Sequence, residues 1–398
     1  MKFVCYKSYT FLRIQSLKDL FHMISRKLLQ KLEQKLFRGK AILVTGPRQA
    51  GKTTLLRALE GRAAQKVLYL NCDEPDVRSL LTEATSSALS QLMGNAKIVM
   101  IDEAQRIKNI GLTMKLIIDN FKHIQLIATG SSALEFANEI NEPLTGRKWE
   151  YRLLPLSTQE LRENHGLLEE SRLLKHRMVY GMYPDVVINP GEEREILYNL
   201  TSSYLYKDIF TFQEIRKPEA IEKLLESLAL QVAAEVSYSE LAQRIQVDTA
   251  TVQRYLDLLE KAFVVFRLRS FSRNVRNELK KSRKIYFYDN GIRNALIANF
   301  SPPETRVDIG ALWENFLVSE RTKLLYINQK YAGQFFWRTK QQQEIDYIEE
   351  ADETLSAFEF KWSPKKKVHF SKTFFKAYPK AVTQIITPDN YMDFLVQE

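Results

Sequence analysis

Apolar residues recur at helical spacing in residues 23–38, MISRKLLQKLEQKLFR, where Ile24, Leu28, Leu29, Leu32 and Leu36 share one side of an amphipathic helix. The pattern then changes. Short apolar runs at Ala41–Thr45, Val67–Leu70, Ile98–Ile101, Ile124–Thr129 and Trp149–Leu154 read as strands. Helical stretches lie near 52–60, 76–93, 111–121 and 131–139. Strands alternating with helices predict an α/β fold whose parallel sheet is covered on both faces. After Pro155 residues 157–232 read as mostly helical, broken by GMYP at 181–184 and NPGEE at 189–193. Tyr238–Phe271 read as two helices and a strand, and from about Ala311 the order is helix, three strands, helix.

Length and composition sharpen this only slightly. A chain of 398 residues is too long for one ordinary domain. No apolar run is long enough to span a bilayer, which predicts no membrane partner. The first 22 residues do not read as a secretory signal; they form an extension, with Met23 as an alternative start. Two cysteines, Cys5 and Cys72, make no disulfide framework or zinc motif, so a cytoplasmic location is expected. The net charge of +10 suits a phosphate backbone, although solubility alone accounts for many such surpluses.

The chemistry begins at Gly46-Pro47-Arg48-Gln49-Ala50-Gly51-Lys52-Thr53, a full match to GxxxxGK[ST] placed between a strand and a helix. Backbone N–H groups of such a loop and of the helix N-terminus converge on phosphate oxygens, and Thr54, directly after the loop, is counted with it among the nucleotide-binding residues. Lys52 neutralises the β- and γ-phosphates of ATP, and the Thr53 hydroxyl serves Mg²⁺. In KIVMIDEAQ, Asp102 ends a buried strand where a carboxylate holds the Mg²⁺ shell. Glu103 follows, placed to orient a water, so hydrolysis is expected. Thr129 and Ser131 in IATGSS either sense the γ-phosphate or cap the next helix. Arg147 precedes the fifth strand, either as a solvated arginine or as a group reaching a neighbouring subunit.

GPRQAGKTTLL, DEAQ, TGSS, LTGR…LLPLS and GMYP together resemble the prokaryotic AAA-type (AAA+) P-loop ATPases that carry a C-terminal domain of formerly unknown function. The resemblance covers roughly 23–398. It implies an AAA+ core at 23–155, a helical lid at 156–215, a winged helix at 216–300 and a restriction-endonuclease-like domain at 301–398. It also implies a ring-shaped homo-oligomer with Arg147 as an arginine finger, and nucleotide contacts from Tyr183 and Pro184 in the lid turn. Met182 stands where that turn's pattern has a second glycine.

VSYSELAQRIQVDTATVQRYLDLLEKAFVVFRL reads as helix-turn-helix then strand, with Ser237/Glu240 as a capping box and Asp248 as an N-cap. Val252, Tyr255, Leu256 and Leu259 point inward; Thr249, Thr251, Gln253 and Arg254 point outward, toward a DNA groove or solvent. The basic run 273–284 suits a wing on phosphates, or a solvated hairpin. Further on, Ile345, Tyr347, Phe358, Phe360 and Trp362 are expected on one face of a hairpin, with Glu344, Asp346, Glu359 and Lys361 on the other. Asp346, Glu359 and Lys361 resemble the PD-(D/E)xK nuclease core, with Glu314 as its helical acid. Asp346, Glu359 and Glu314 would then hold a second Mg²⁺. The alternative is a salt-bridged face that only binds. A DNA-remodelling ATPase, a slow nucleotide switch for a protein partner, and an ATP-regulated nuclease all remain open at this point.

Overall fold

The structure is a computed structural model that describes residues 24–130, 143–205, 217–272, 283–339, 341–365 and 370–396. The N-terminal extension, Ser131 with the helix expected at 131–139, and most of the basic run 273–284 lie outside the described residues.

Five strands form the first sheet: β1 (Ala41–Thr45), β2 (Val67–Asn71), β3 (Ile98–Asp102), β4 (Gln125–Gly130) and β5 (Lys148–Arg152). Their order is β2-β3-β4-β1-β5, and every pairing is parallel. The continuously apolar strands explain this, since β3 and β4 are buried along their whole length and need helices on both faces. Helix Lys27–Lys35 presses Leu28, Leu29 and Leu32 onto Leu55, Leu56 and Leu59 of helix Lys52–Arg62 and onto Ile42 and Val44 of β1. The stretch 76–93 forms two helices, Pro75–Leu81 and Ser86–Met93, not one. Glu83 takes φ +51°, and the Thr85 side chain accepts from Ala88 N–H at 3.3 Å, which starts a new helix.

The chain then runs through helices Thr158–His165, Leu167–Tyr180, Pro184–Ile188 and Glu193–Asn199. Ser157 and Glu160 form a reciprocal capping box at the first of these. Helices Pro218–Leu230, Tyr238–Ile245 and Thr249–Lys261 follow. Asp248 caps the last through Thr251 N–H at 2.7 Å, and Val252, Tyr255, Leu256 and Leu259 are buried as their spacing predicts.

A second sheet gathers the remaining strands: β6 (Glu235–Val236), β7 (Val265–Ser270), β8 (Arg283–Phe287), β9 (Gly333–Arg338), β10 (Glu344–Ala351), β11 (Thr354–Phe360) and β12 (Val382–Ile386). Its order is β12-β11-β10-β9-β7-β8-β6. The strands before and after residue 300 therefore share one sheet, joined where β7 meets β9 in parallel. Helix Ile309–Asn328 lies on it, with Leu312, Trp313, Phe316 and Leu317 packed among Tyr286, Phe336, Tyr347, Phe360 and Phe394.

The expected single apolar face of the hairpin is corrected at Ile345. The register slips between Ile345 and Ile348, where three residues of β10 span two of β9. Such a bulge turns Ile345 to the opposite face, where it joins Trp337, Ile348, Ala357 and Phe374, while Tyr347, Phe358 and Phe360 stay together.

Candidate functional site

The phosphate loop leaves the C-terminal end of β1, beside the ends of β3 and β4. Parallel order brings Thr53, Asp102 and Thr129 together there. Thr53 Oγ1 donates to Asp102 Oδ2 at 2.7 Å, and the Thr129 hydroxyl donates to Asp102 Oδ1. The Glu103 N–H donates to Thr129 Oγ1 at 3.1 Å, with Glu103 itself at φ +53°. Tyr69, from β2, donates its hydroxyl to Asp102 Oδ2. Burial, and then this bond to Asp102, push the Tyr69 phenol well above its usual pKa, so it stays a donor. Asp102 is 2% exposed and satisfied by three hydroxyls, a donor set that keeps a buried carboxylate oriented. Lys52 is buried, and its ammonium donates to the carbonyls of Gly46 and Pro47 at 2.9 Å each. Gln105 donates to the Glu103 carboxylate. The side chains of Thr53, Thr54 and Gln49 are exposed around the loop, Pro47 and Ala50 are buried, and Arg48 is half-buried. A carboxylate beside a threonine hydroxyl at a loop of N–H groups fits ATP with Mg²⁺, held by Thr53 and Asp102.

Two contacts come from far away in sequence. Arg26, just before the first helix, donates to Ala50 O and Leu154 O at 2.7 Å each and to Glu160 Oε1 at 3.0 Å. It thereby ties the phosphate loop to the exit of β5 and to helix Thr158–His165. Pro184 approaches from the other side: a Cβ on Gly51 would lie 3.8 Å from Arg26 Nη1 and 3.9 Å from Pro184 Cγ. The turn at 181–184 is held in turn by Asp289, which accepts from Met182 N–H at 2.7 Å and Ile292 N–H at 3.1 Å. Gly181 has φ +72°, and a Cβ there would sit 2.0 Å from Asp289 Oδ1, so only glycine fits. Met182 uses its backbone for Asp289 and buries its side chain, so the missing glycine leaves this bond intact. Burial pushes the Asp289 carboxyl upward against the pull of Lys323 and its backbone donors. Pro47, Arg48, Tyr183, Phe263, Tyr288 and Asp289 enclose only about 30 Å³ between the loop and this turn.

Arg147 does not join this site. It precedes β5 and bonds through its carbonyl to Ala41 N–H, at the sheet end opposite the loop. Its guanidinium pairs with Asp119 at 2.9 Å and is 41% exposed.

In the second sheet Asp346, Glu359 and Lys361 do meet. Lys361 Nζ lies 2.7 Å from Glu359 and 3.3 Å from Asp346, and Asp346 Oδ2 accepts the Phe360 N–H at 2.8 Å. Glu314 is engaged elsewhere. It accepts from Lys284 Nζ and from Tyr286 OH, both at 2.7 Å, and Lys284 also reaches Glu344 at 2.5 Å. Lys284 is 3% exposed on β8; burial opposes its charge, but Glu314, Asp346 and Glu344 together raise its pKa. Burial, with Asp346 nearby, pushes the Glu314 and Glu359 carboxyls up to about 7 each. Among the described residues no three carboxylate, histidine or cysteine side chains converge as a metal-ligand set. Glu314, Asp346 and Glu359 are thus arranged around ammonium groups, and this donor set as placed does not fit a second Mg²⁺. The sequence reading missed Lys284 and Tyr286; their only signal was an alternation in RKIYFYD.

Residues 38–162 match the family model of an AAA domain. Residues 171–303 and 309–393 match two domains of unknown function, DUF8612 and DUF4143. An uncharacterized protein of Mycobacterium tuberculosis is 29% identical over 336 residues, covering 83% of this chain and 72% of that one. An uncharacterized Haemophilus influenzae protein is 27% identical over 301 residues, 69% of this chain and 74% of that one. The Walker-type ATPase of Pyrococcus abyssi aligns with a TM-score of 0.48 at 16% identity, over 69% of this chain and 96% of that one. No helix among the described residues is long and apolar enough to cross a membrane. The parallel sheet, the loop geometry and the family match agree on an AAA-type P-loop ATPase module at 38–162.

Proposed function

We propose that this protein is a Mg²⁺-dependent ATPase that binds and remodels DNA, branched or junction forms included, as an oligomeric ring in the cytoplasm. One observation carries the ATPase reading: Asp102 is oriented at once by Thr53 of the loop and Thr129 of the neighbouring strand. Bound Mg²⁺-ATP supplies the electrophilic γ-phosphoryl group. Lys52 turns from its loop carbonyls toward the phosphates, and Glu103 orients the attacking water. Thr129, and Ser131 beyond it, sense the γ-phosphate. Arg147, exposed and remote from its own loop, acts on the neighbouring protomer. Tyr183 and Pro184 line the base side of the nucleotide. The small space there means that the lid turn separates from the loop to admit a base.

For DNA the supports are the net charge of +10 and the helix pair 238–245 and 249–261, which we assign to a winged helix. Thr249 and Gln253 are exposed on its second helix, while Thr251 and Arg254 are half-buried. The test is the steady-state ATPase rate alone and with single-stranded, duplex and four-way-junction DNA, with Lys52→Ala as the blank. A severalfold rise with one form supports the proposal; a slow rate that no DNA changes sinks it.

A second reading is favoured by one observation. The ammonium of Lys284 sits among the C-terminal carboxylates, which suits a nuclease-like domain serving as an inert platform for a protein partner. Under that reading the ATPase is a slow switch. Metal-dependent nicking lost in Asp346→Ala or Lys361→Ala would instead establish an ATP-regulated nuclease, with Lys284 displaced.

A further inference from the structure

A cleft of about 390 Å³ runs along the outer edge of β5, the end strand of the ATPase sheet. Its far wall is the segment from Tyr326 to Gln334, which runs from the last turn of the long helix Ile309–Asn328 into the start of β9. Five cations line it; Arg26 and Lys323 are paired with Glu160 and Glu320, which leaves Lys31, Arg152 and Lys330. None of these three has a carboxylate partner among the described residues, whereas both acids that line the cleft are already paired, Glu150 with Lys148 and Glu160 with Arg26. Arg152 donates to the Tyr326 hydroxyl and lies 5.0 Å from the centre of its ring. Lys31 donates to the Ile327 carbonyl, and burial together with Lys27 lowers its pKa, so an anion there offsets a poorly solvated charge.

The aromatic content is unusual. Three tyrosines are exposed among the described residues, and two of them, Tyr326 at 41% and Tyr331 at 94%, line this cleft. A solvated aromatic ring costs hydrophobic free energy, and beside unpaired cations it matches a flat, anionic ligand. A duplex is too wide for a space of this volume, and an acidic peptide leaves the rings unmatched. One nucleotide unit matches both the volume and the chemistry.

We propose that this cleft binds an unpaired nucleotide of single-stranded nucleic acid, its base stacked on Tyr331 and Tyr326 and its phosphate held by Arg152, Lys330 and Lys31. The site also touches the ATPase machinery. Thr45, in register with Arg152, forms part of the cleft and directly precedes Gly46. Arg26 spans from the cleft wall to the loop carbonyl of Ala50. Strand binding is thereby placed one strand away from the phosphate loop. The inference rests on the reading of the protein as a DNA-acting ATPase and names where an unpaired strand is held.

The test uses the full chain and a fluorescent twenty-residue oligo-dT followed by anisotropy. Tyr331→Ala is expected to weaken binding about tenfold, with Tyr331→Phe restoring it. Arg152→Gln is expected to reduce the slope of log K against log salt by about 0.7. In Tyr331→Trp, the added indole is quenched by the oligomer. Thymidine 5′-monophosphate is the control for a free nucleotide. If it quenches that indole at the same concentration of nucleotide units, the ligand is a free nucleotide and the assignment to a strand falls. If the oligomer binds wild type, Tyr331→Ala and Arg152→Gln alike while Gln253→Ala weakens it, DNA is held by helix 249–261; the cleft proposal fails and the DNA-acting reading stands. If wild type binds no oligomer and no DNA form alters its ATPase rate, both fail.

Discussion

Replacing Lys284 by methionine isolates the electrostatics of the C-terminal cluster. The lysine is 3% exposed and lies 2.7 Å from Glu314 and 2.5 Å from Glu344. Removing one partner of such a buried pair costs about 3–5 kcal/mol, because the other charge is left without compensation. The carboxylates have an escape, which is to take up a proton. Glu314 already binds one near pH 7 in the native protein, against about 4.5 unfolded. A raised folded pKa gives stability that is present below pH 4.5 and is lost as pH rises to 7, after which this group's contribution is flat. Without Lys284 the folded pKa of Glu314 rises further, so the loss continues to higher pH at about 1.4 kcal/mol per unit. Between pH 7 and 8.5 the gap between variant and wild type therefore widens by about 2 kcal/mol. Urea unfolding followed by tryptophan fluorescence reads it, since Trp313, Trp337 and Trp362 of the four tryptophans belong to this part of the chain. A gap that is equal at pH 6.5 and 8.5, or wider at pH 6.5, refutes the reasoning.

Further outcomes follow from the nucleotide side. Gly181→Ala drives a methyl group to 2.0 Å from Asp289 Oδ1 at φ +72°; a stability loss of about 2 kcal/mol or more is expected in the same urea assay. Arg26→Met strands Glu160, whose side chain is 1% exposed, and releases the Ala50 carbonyl. It is expected to weaken binding of a fluorescent ATP analogue at least tenfold, and unchanged affinity contradicts the clamp. Arg147→Ala is expected to leave that affinity intact and to lower turnover by about a thousandfold if it acts across the ring. Mixing Arg147→Ala with Lys52→Ala protomers should then recover part of the rate, and no recovery argues against a role in trans.

The phosphate loop was legible because its chemistry is local: eight consecutive residues carry the loop, and strand and helix flank them. The order of alternating strands and helices was legible for the same reason, since each apolar run is one strand of a sheet buried on both faces. What could not be read are groups united only by the tertiary fold. Arg26 meets Ala50 across 24 residues, Leu154 across 128 and Glu160 across 134. Tyr69 reaches Asp102 because β2 and β3 are neighbours. In GMYP the sequence marks a special glycine, but its reason, the carboxylate of Asp289, lies more than 100 residues away. The hairpin shows the limit of simple alternation. One extra residue in β10 reverses Ile345, and period-two reasoning has no way to detect a bulge from an ordinary EIDYI stretch. Asp346, Glu359 and Lys361 were legible as neighbours, yet the lysine that pairs with Glu314 and Glu344 comes from β8, far from that motif in the chain.

Magnesium-dependent phosphate release by wild type and by Asp102→Asn, each alone and with single-stranded, duplex or junction DNA, tests the central claim most directly. Equal binding of a fluorescent ATP analogue by both proteins is the internal control. The account predicts turnover in wild type that rises severalfold with DNA, and in Asp102→Asn a fall of at least a hundredfold with nucleotide binding retained. Phosphate release that is the same in the two proteins, or that is indifferent to every DNA form, would contradict it.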